Sequence, residues 1–273
     1  MVSDLQTTHL NGLKVAYRVQ GDGRDVLLIH GWASSGRMWQ SLMGALAPRF
    51  RCWALDLPGF GDSDKPTNGW YSIQAYVELA RDFMAAHGMR RPDVLGHSMG
   101  GMIALSLAAE SPHALRRLVA INPVVTGRTP IMRLLSETPL SRHMLALGKW
   151  MWPLTTSDVF GWWPGQNLAA HVQRTREEWG QTPPAAAMSI LKAIGRHNLA
   201  ERLPRIAAPT LIILGRHDLT APNAEGRLAA RCIPGAELAV LRAGHLPTDD
   251  VPEETNALID SFLGTNLRRN ESG

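Results

Sequence analysis

Cysteine is nearly missing from this 273-residue chain: Cys52 and Cys232 are the only two, and 180 positions separate them. A disulfide framework is therefore not expected, and a cytoplasmic protein is the default reading. Long apolar runs are missing too. Stretches such as Leu27 to Ile29 and Leu211 to Leu214 fall far short of the roughly 20 residues that a spanning helix needs. The first twenty residues, with Asp4, His9 and Asn11, hold no apolar stretch of signal-peptide length. Charge is modest: 28 basic against 24 acidic residues leave +4, and no more than two basic residues stand together. A nucleic-acid surface and a membrane partner are thus not expected. No H-x-x-x-H or C-x-x-C spacing offers zinc ligands, and no glycine-rich loop of the dinucleotide or P-loop type follows a strand.

What the chain has instead is a high apolar content, 45%, enough to bury one sizeable core. Short apolar runs, Val26 to Ile29, Cys52 to Leu55, Val94 to Leu95, Leu118 to Ile121, Leu211 to Leu214 and Leu238 to Leu241, read as buried strands. Between them, Met38 to Leu46, Ile73 to Ala86, Met99 to Ala109, Ala224 to Cys232 and Glu253 to Leu263 repeat apolar residues at helical spacing. This alternation predicts an α/β fold, a mostly parallel sheet with helices on both faces.

From about Val124 to Ala200 no strand pattern appears. Helical stretches such as Ile131 to Leu135, Arg142 to Trp152 and Ala185 to Ile194 are separated by prolines. The expected organisation is a core of residues 1–123 and 201–273 with a helical cap, or lid, at 124–200. Five of the nine tryptophans (Trp150, Trp152, Trp162, Trp163, Trp179) fall in this insert, with eight basic residues against four acidic ones.

Gly96-His97-Ser98-Met99-Gly100 follows one strand and opens a helix, the context of a nucleophile elbow. A serine at so sharp a turn takes strained backbone angles, and side chains two positions to either side would collide with strand and helix. Ten histidines compete for the role of base. His245, in a loop just past a strand near the end of the chain, is favoured by order and location. His97 lies beside the serine, and the turn is expected to direct it away. Asp218, just past the strand Leu211 to Leu214, can hold an imidazole tautomer and stabilise the imidazolium. A turn or N-cap is its bland alternative. Asp56, in Asp56-Leu57-Pro58-Gly59, follows a strand but is assigned to architecture, and Asn122 can orient a group without carrying charge.

Ser98, Asp218 and His245, in that order and each past a strand, resemble the α/β-hydrolase superfamily. His30-Gly31-Trp32, Asp56 to Ser63 and Pro209-Thr210 add to the likeness, which covers nearly the whole chain. The resemblance implies an oxyanion hole from the backbone N–H groups of Trp32 and Met99, a serine esterase activity, and neither metal nor organic cofactor. Epoxide hydrolases and haloalkane dehalogenases are disfavoured, since they carry aspartate where Ser98 stands. Small carboxylesterases of the pimeloyl-acyl-carrier-protein methyl esterase type look most similar, although their elbow has an aromatic residue in place of His97. That likeness implies a small-molecule ester substrate, or an acyl carrier protein docked on cap residues such as Arg128, Arg133, Arg142 and Lys149. Met132, Met144, Met151 and Met188 and the cap tryptophans would line an acyl pocket or fasten the cap to the core. A carbon-carbon bond hydrolase, a lactonase, a cofactor-free haloperoxidase and, from another class, a ligand-binding receptor with a vestigial triad remain as alternatives.

Overall fold

Every apolar run read as a strand enters one eight-stranded sheet, in a computed structural model that describes residues 4–127 and 168–265. The strands are β1 (Leu5–Leu10), β2 (Leu13–Gln20), β3 (Arg24–Ile29), β4 (Phe50–Leu55), β5 (Asp93–His97), β6 (Arg117–Ile121), β7 (Thr210–Gly215) and β8 (Glu237–Leu241), in the order β1-β2-β4-β3-β5-β6-β7-β8. β3 to β8 are paired in parallel, and β1 and β2 add an antiparallel edge.

That edge hairpin is a finding beyond the sequence reading. Gln6, Thr7 and Thr8 leave it without an apolar run, yet Asn11-Gly12 forms its turn with φ of 52° and 80°. Two consecutive positive φ angles are what a tight type I′ hairpin demands.

Alternate residues of each central strand enter different cores. Leu27 and Ile29 face a layer made by α2 (Ile73–Ala86), α3 (Met99–Glu110) and part of a later helix, while Val26 and Leu28 face α1 (Gln40–Leu46) and the carboxyl-terminal helix. Ser72 starts α2 by accepting the Ala75 N–H at 3.0 Å, and its stripe of Ile73, Tyr76, Val77, Ala80 and Phe83 is buried. Burial of each large apolar side chain of that stripe contributes about 1.5–3 kcal/mol. α3 is buried from Met99 to Ala109, so the helix that follows the elbow is fixed on all sides.

Within the insert, the described residues form α4 (Leu168–Gln181) and α5 (Pro184–Arg196), and no strand occurs among them. The chain then re-enters the sheet through a 3₁₀ turn at Ala200–Arg205, followed by α6 (Asn223–Cys232), α7 (Pro247–Asp250) and α8 (Pro252–Gly264). The two ends of the insert lie side by side. Glu225 on α6 accepts the N–H groups of Val125 and Thr126 at 2.7 and 2.6 Å, and Leu199 N–H donates to Val125 O at 3.1 Å. Gly127, at φ +62°, could not carry a side chain: a Cβ would lie 2.0 Å from the Ile194 carbonyl.

The stretches Ile131 to Leu135 and Arg142 to Trp152 fall outside the described residues. So do Trp150, Trp152, Trp162, Trp163, Met132, Met144, Met151, Arg128, Arg133, Arg142 and Lys149. Among the described residues no helix is long and apolar enough to cross a membrane.

Candidate active site

β5 ends at His97 and α3 begins at Met99, so Ser98 alone makes the turn between them, at φ 53° and ψ −114°. A non-glycine residue there stores strain of about 1–3 kcal/mol. The surroundings hold it: Ser98 N–H donates to Ile121 O at 2.9 Å, and Met102 N–H donates to Ser98 O at 3.1 Å. The collisions anticipated for the flanking positions are there. A Cβ on Gly96 would sit 2.2 Å from Gly100 O, and one on Gly100 would sit 2.1 Å from Ile29 O. Glycine is the only residue that lets β3, β5 and α3 approach this closely.

Asp218 follows the end of β7 at Gly215, and its side chain is fully buried. One carboxylate oxygen accepts the N–H groups of Thr220 and Ala221 at 2.7 and 2.9 Å, and the other meets Nδ1 of His245 at 2.7 Å. One oxygen thus closes a turn and the other faces the imidazole. An ionised carboxylate only accepts, so it holds the Nδ1–H tautomer and leaves Nε2 as the basic nitrogen. His245 itself is 3% exposed, in the loop after β8. Among the described residues the Ser98 hydroxyl makes no hydrogen bond, so the imidazole of His245 is bonded to Asp218 while no bond joins it to Ser98. Such contacts commonly tighten only when substrate is bound.

The loop after β3 forms the opposite wall. A Cβ on Gly31 would lie 3.2 Å from Ser98 Cβ, so the His30-Gly31-Trp32 segment runs directly against the elbow. His30 fixes that loop: its Nε2 accepts the Leu57 N–H at 2.9 Å and its Nδ1–H donates to Gly31 O at 2.7 Å. Burial lowers its pKa to about 4 against the opposing pull of Asp56. Trp32 turns towards the insert, where its Nε1–H donates to Ala187 O at 3.2 Å and its ring meets Trp179 edge-on at 5.0 Å. Met99 is the first residue of α3, so its N–H has no partner within the helix. Trp32, Ser34, His97, Arg174, Glu178 and His245 open onto one small cleft.

Asp56 is taken up by its loops. It is fully buried and accepts from Gly36 N–H at 2.7 Å, Asp62 N–H at 2.9 Å and Arg18 at 3.2 Å. His97, beside Ser98 in the chain, turns to the main chain of His245. Its ring lies 4.6 Å from that of His245, and its Nε2–H donates to the His245 carbonyl at 2.8 Å. Burial holds its pKa well below the usual imidazole range, so it is neutral.

A charged cluster on α4 had no counterpart in the sequence reading. Glu178, 2% exposed, accepts from Ser35 Oγ at 2.6 Å and Ser34 Oγ at 3.2 Å, and Arg174, one turn earlier, binds Asp249 of α7 through both terminal nitrogens. Burial raises the Glu178 pKa, partly offset by Arg174 at 3.9 Å. Over residues 173–181 the buried side of α4 thus carries Arg174, Thr175 and Glu178 beside Trp179, which interrupts its apolar pattern.

Comparison with known proteins agrees with the fold. The model of the family described as alpha/beta hydrolase fold matches residues 26–251. An uncharacterized protein of Mycobacterium tuberculosis strain H37Rv is 29% identical, covering 96% of this chain and 81% of its own. The pimeloyl-[acyl-carrier protein] methyl ester esterase of Aeromonas hydrophila is 26% identical, covering 89% of this chain and 97% of its own. Among solved structures, a hydrolase from Pseudomonas aeruginosa superposes with a TM-score of 0.83 at 26% identity, covering 96% of this chain and 99% of that one.

Proposed function

The chain belongs to the alpha/beta-hydrolase fold family, and from that premise we propose that it is a serine hydrolase that cleaves carboxylic esters through an acyl-enzyme on Ser98. One observation carries the proposal: a buried imidazole–carboxylate pair, His245 and Asp218 at 2.7 Å, lies with its imidazole 4.6 Å from the ring of His97, the residue that precedes a serine on a strained elbow. A buried bond of this kind fixes the imidazole tautomer that a general base needs.

In this reading His245 Nε2 takes the Ser98 proton as the serine oxygen attacks the acyl carbon. The tetrahedral oxyanion settles between the backbone N–H groups of Trp32 and Met99, and the imidazolium is stabilised by Asp218. The C–O bond to the leaving alcohol then breaks, and His245 returns the proton to that oxygen. Water enters, loses a proton to His245, and attacks the acyl carbon. Collapse of the second intermediate releases the acid and restores Ser98.

Residues 124–200 serve as the lid over this site. The contacts of Trp32 with Ala187 and Trp179 support the assignment, because they join the insert to the proposed oxyanion loop. The substrate is a small or medium acyl ester. Similarity to the pimeloyl-[acyl-carrier protein] methyl ester esterase of Aeromonas supports an acyl group that is free or carried on an acyl carrier protein.

A panel of p-nitrophenyl esters of graded chain length, with a carrier-bound methyl ester beside it, tests the proposal. Cleavage should peak at one chain length, and Ser98→Ala should remove on the order of a millionfold of kcat. Turnover of that variant at the wild-type rate contradicts the mechanism, and binding of ester or lactone without product favours a receptor.

A further inference from the structure

Two side chains that the proposed chemistry leaves unused hold the main chain of His245. His97 Nε2–H donates to the His245 carbonyl at 2.8 Å, and Asn122 Nδ2–H donates to the same oxygen at 2.9 Å. A carbonyl oxygen offers two lone pairs, and this one has a donor for each. The Asn122 amide also reaches Gly244 O at 3.2 Å. At its other end, Asn122 Oδ1 accepts the Gly215 N–H at 2.8 Å, and its backbone N–H donates to Ile213 O at 2.8 Å.

These partners belong to the two other arms of the site. His97 is the residue before Ser98, and Gly215 closes the strand that leads to Asp218. A single oxygen of His245 is therefore referenced to the nucleophile strand through an imidazole and to the acid strand through an amide. Both clamping side chains are buried, His97 at 3% and Asn122 at 2% exposure.

The residue types fit this role more closely than they fit packing. Asn122 sits at φ 43°, in the left-handed region that asparagine tolerates better than other non-glycine residues. It is also a side chain with a donor at one corner and an acceptor at the other. His97 leaves its Nδ1 buried with no partner among the described residues, a cost that an apolar side chain would not incur.

From this juxtaposition we infer that His97 and Asn122 are positioning residues, which hold the His245 imidazole in register with Ser98 and Asp218 through two cycles of proton transfer. The inference rests on the reading of His245 as the base. Neither residue is given contact with the reacting atoms. Their effect is geometric, since a small displacement of a base lowers the rate steeply while leaving substrate binding intact.

The test compares wild type with His97→Leu, His97→Gln, Asn122→Gly and the pair His97→Leu with Asn122→Gly, using p-nitrophenyl acetate and thermal unfolding. Glycine suits the positive φ at 122 while removing the clamp. Each loss of a donor should lower kcat about tenfold with KM within about twofold, and the pair should lower it about a hundredfold. His97→Gln, which restores an N–H donor, should recover kcat to within about threefold. Unchanged kcat in folded variants overturns the inference, as does a loss that follows Tm and is not rescued by glutamine. A measurement on the wild type stands apart from any folding defect: nitrogen-15 shifts should show His97 as the neutral Nε2–H tautomer, and the Nδ1–H tautomer overturns the clamp. Ser98→Ala is assayed alongside. If it keeps wild-type turnover, the reading of the enzyme fails, while the tautomer result still judges the clamp.

Discussion

Acid should destabilise the protein through His30, the imidazole that shapes the loop opposite Ser98. Its Nε2 accepts from Leu57 and its Nδ1–H donates to Gly31, so a second proton would set two N–H groups against each other in a fully buried site. Burial accordingly lowers its pKa from 6.5 to about 4. Between those values the unfolded chain binds more protons than the folded one. Stability from this group is therefore complete above about pH 6.5 and falls as pH drops towards 4. A depression of about 2.5 pH units, at about 1.4 kcal/mol per unit, corresponds to about 3 kcal/mol lost by pH 4. Urea unfolding of wild type and His30→Gln at pH 7.5 and pH 4 isolates the contribution, because His97 and His197 titrate alike in both proteins. Wild type should be the more stable at pH 7.5, and its advantage should shrink by about 3 kcal/mol at pH 4. An advantage that is the same at both pH values would refute the assignment of His30 as a neutral strut.

Three further outcomes follow from the site. Gly100→Ala should fold poorly, with Tm lowered by at least about 5 °C, because its Cβ meets backbone 2.1 Å away and no side chain can move aside. Gly31→Ala should fold better but lose most activity, since the added methyl lies against His97 and Ser98; a fully active variant would show that this loop does not border the reaction. Arg174→Gln removes a cation that is bonded to Asp249 and close to the buried Glu178, and should cost about 1–3 kcal/mol in urea unfolding. A loss under about 1 kcal/mol would place that cluster in solvent.

What could be read from the chain alone depended on how locally each feature is encoded. Parallel strands buried on both faces show as bare apolar runs, so Leu211 to Leu214 and its companions were legible. The hairpin β1–β2 was not, because most of β1 faces water; its only local mark is Asn11-Gly12. The elbow was legible because backbone crowding at Gly96 and Gly100 forces glycine at fixed spacing. α4 was hidden because Arg174 and Glu178, both turned to protein partners, interrupt its apolar pattern. The clamp on His245 joins residues 123 and 148 positions apart through one carbonyl oxygen. No residue spacing encodes a bond to main chain at that distance, so Asn122 reads only as a group able to orient something, and His97 only as a neighbour that the turn directs away from Ser98.

Covalent capture of the nucleophile tests the central claim most directly. The folded protein is incubated with a fluorophosphonate, which phosphonylates activated serines, and the adduct is mapped by peptide mass spectrometry. The account predicts one adduct, on Ser98, whose formation is slowed by His245→Gln and by Asp218→Asn. An adduct on another residue, or Ser98 left unmodified while esters are still cleaved, would contradict it.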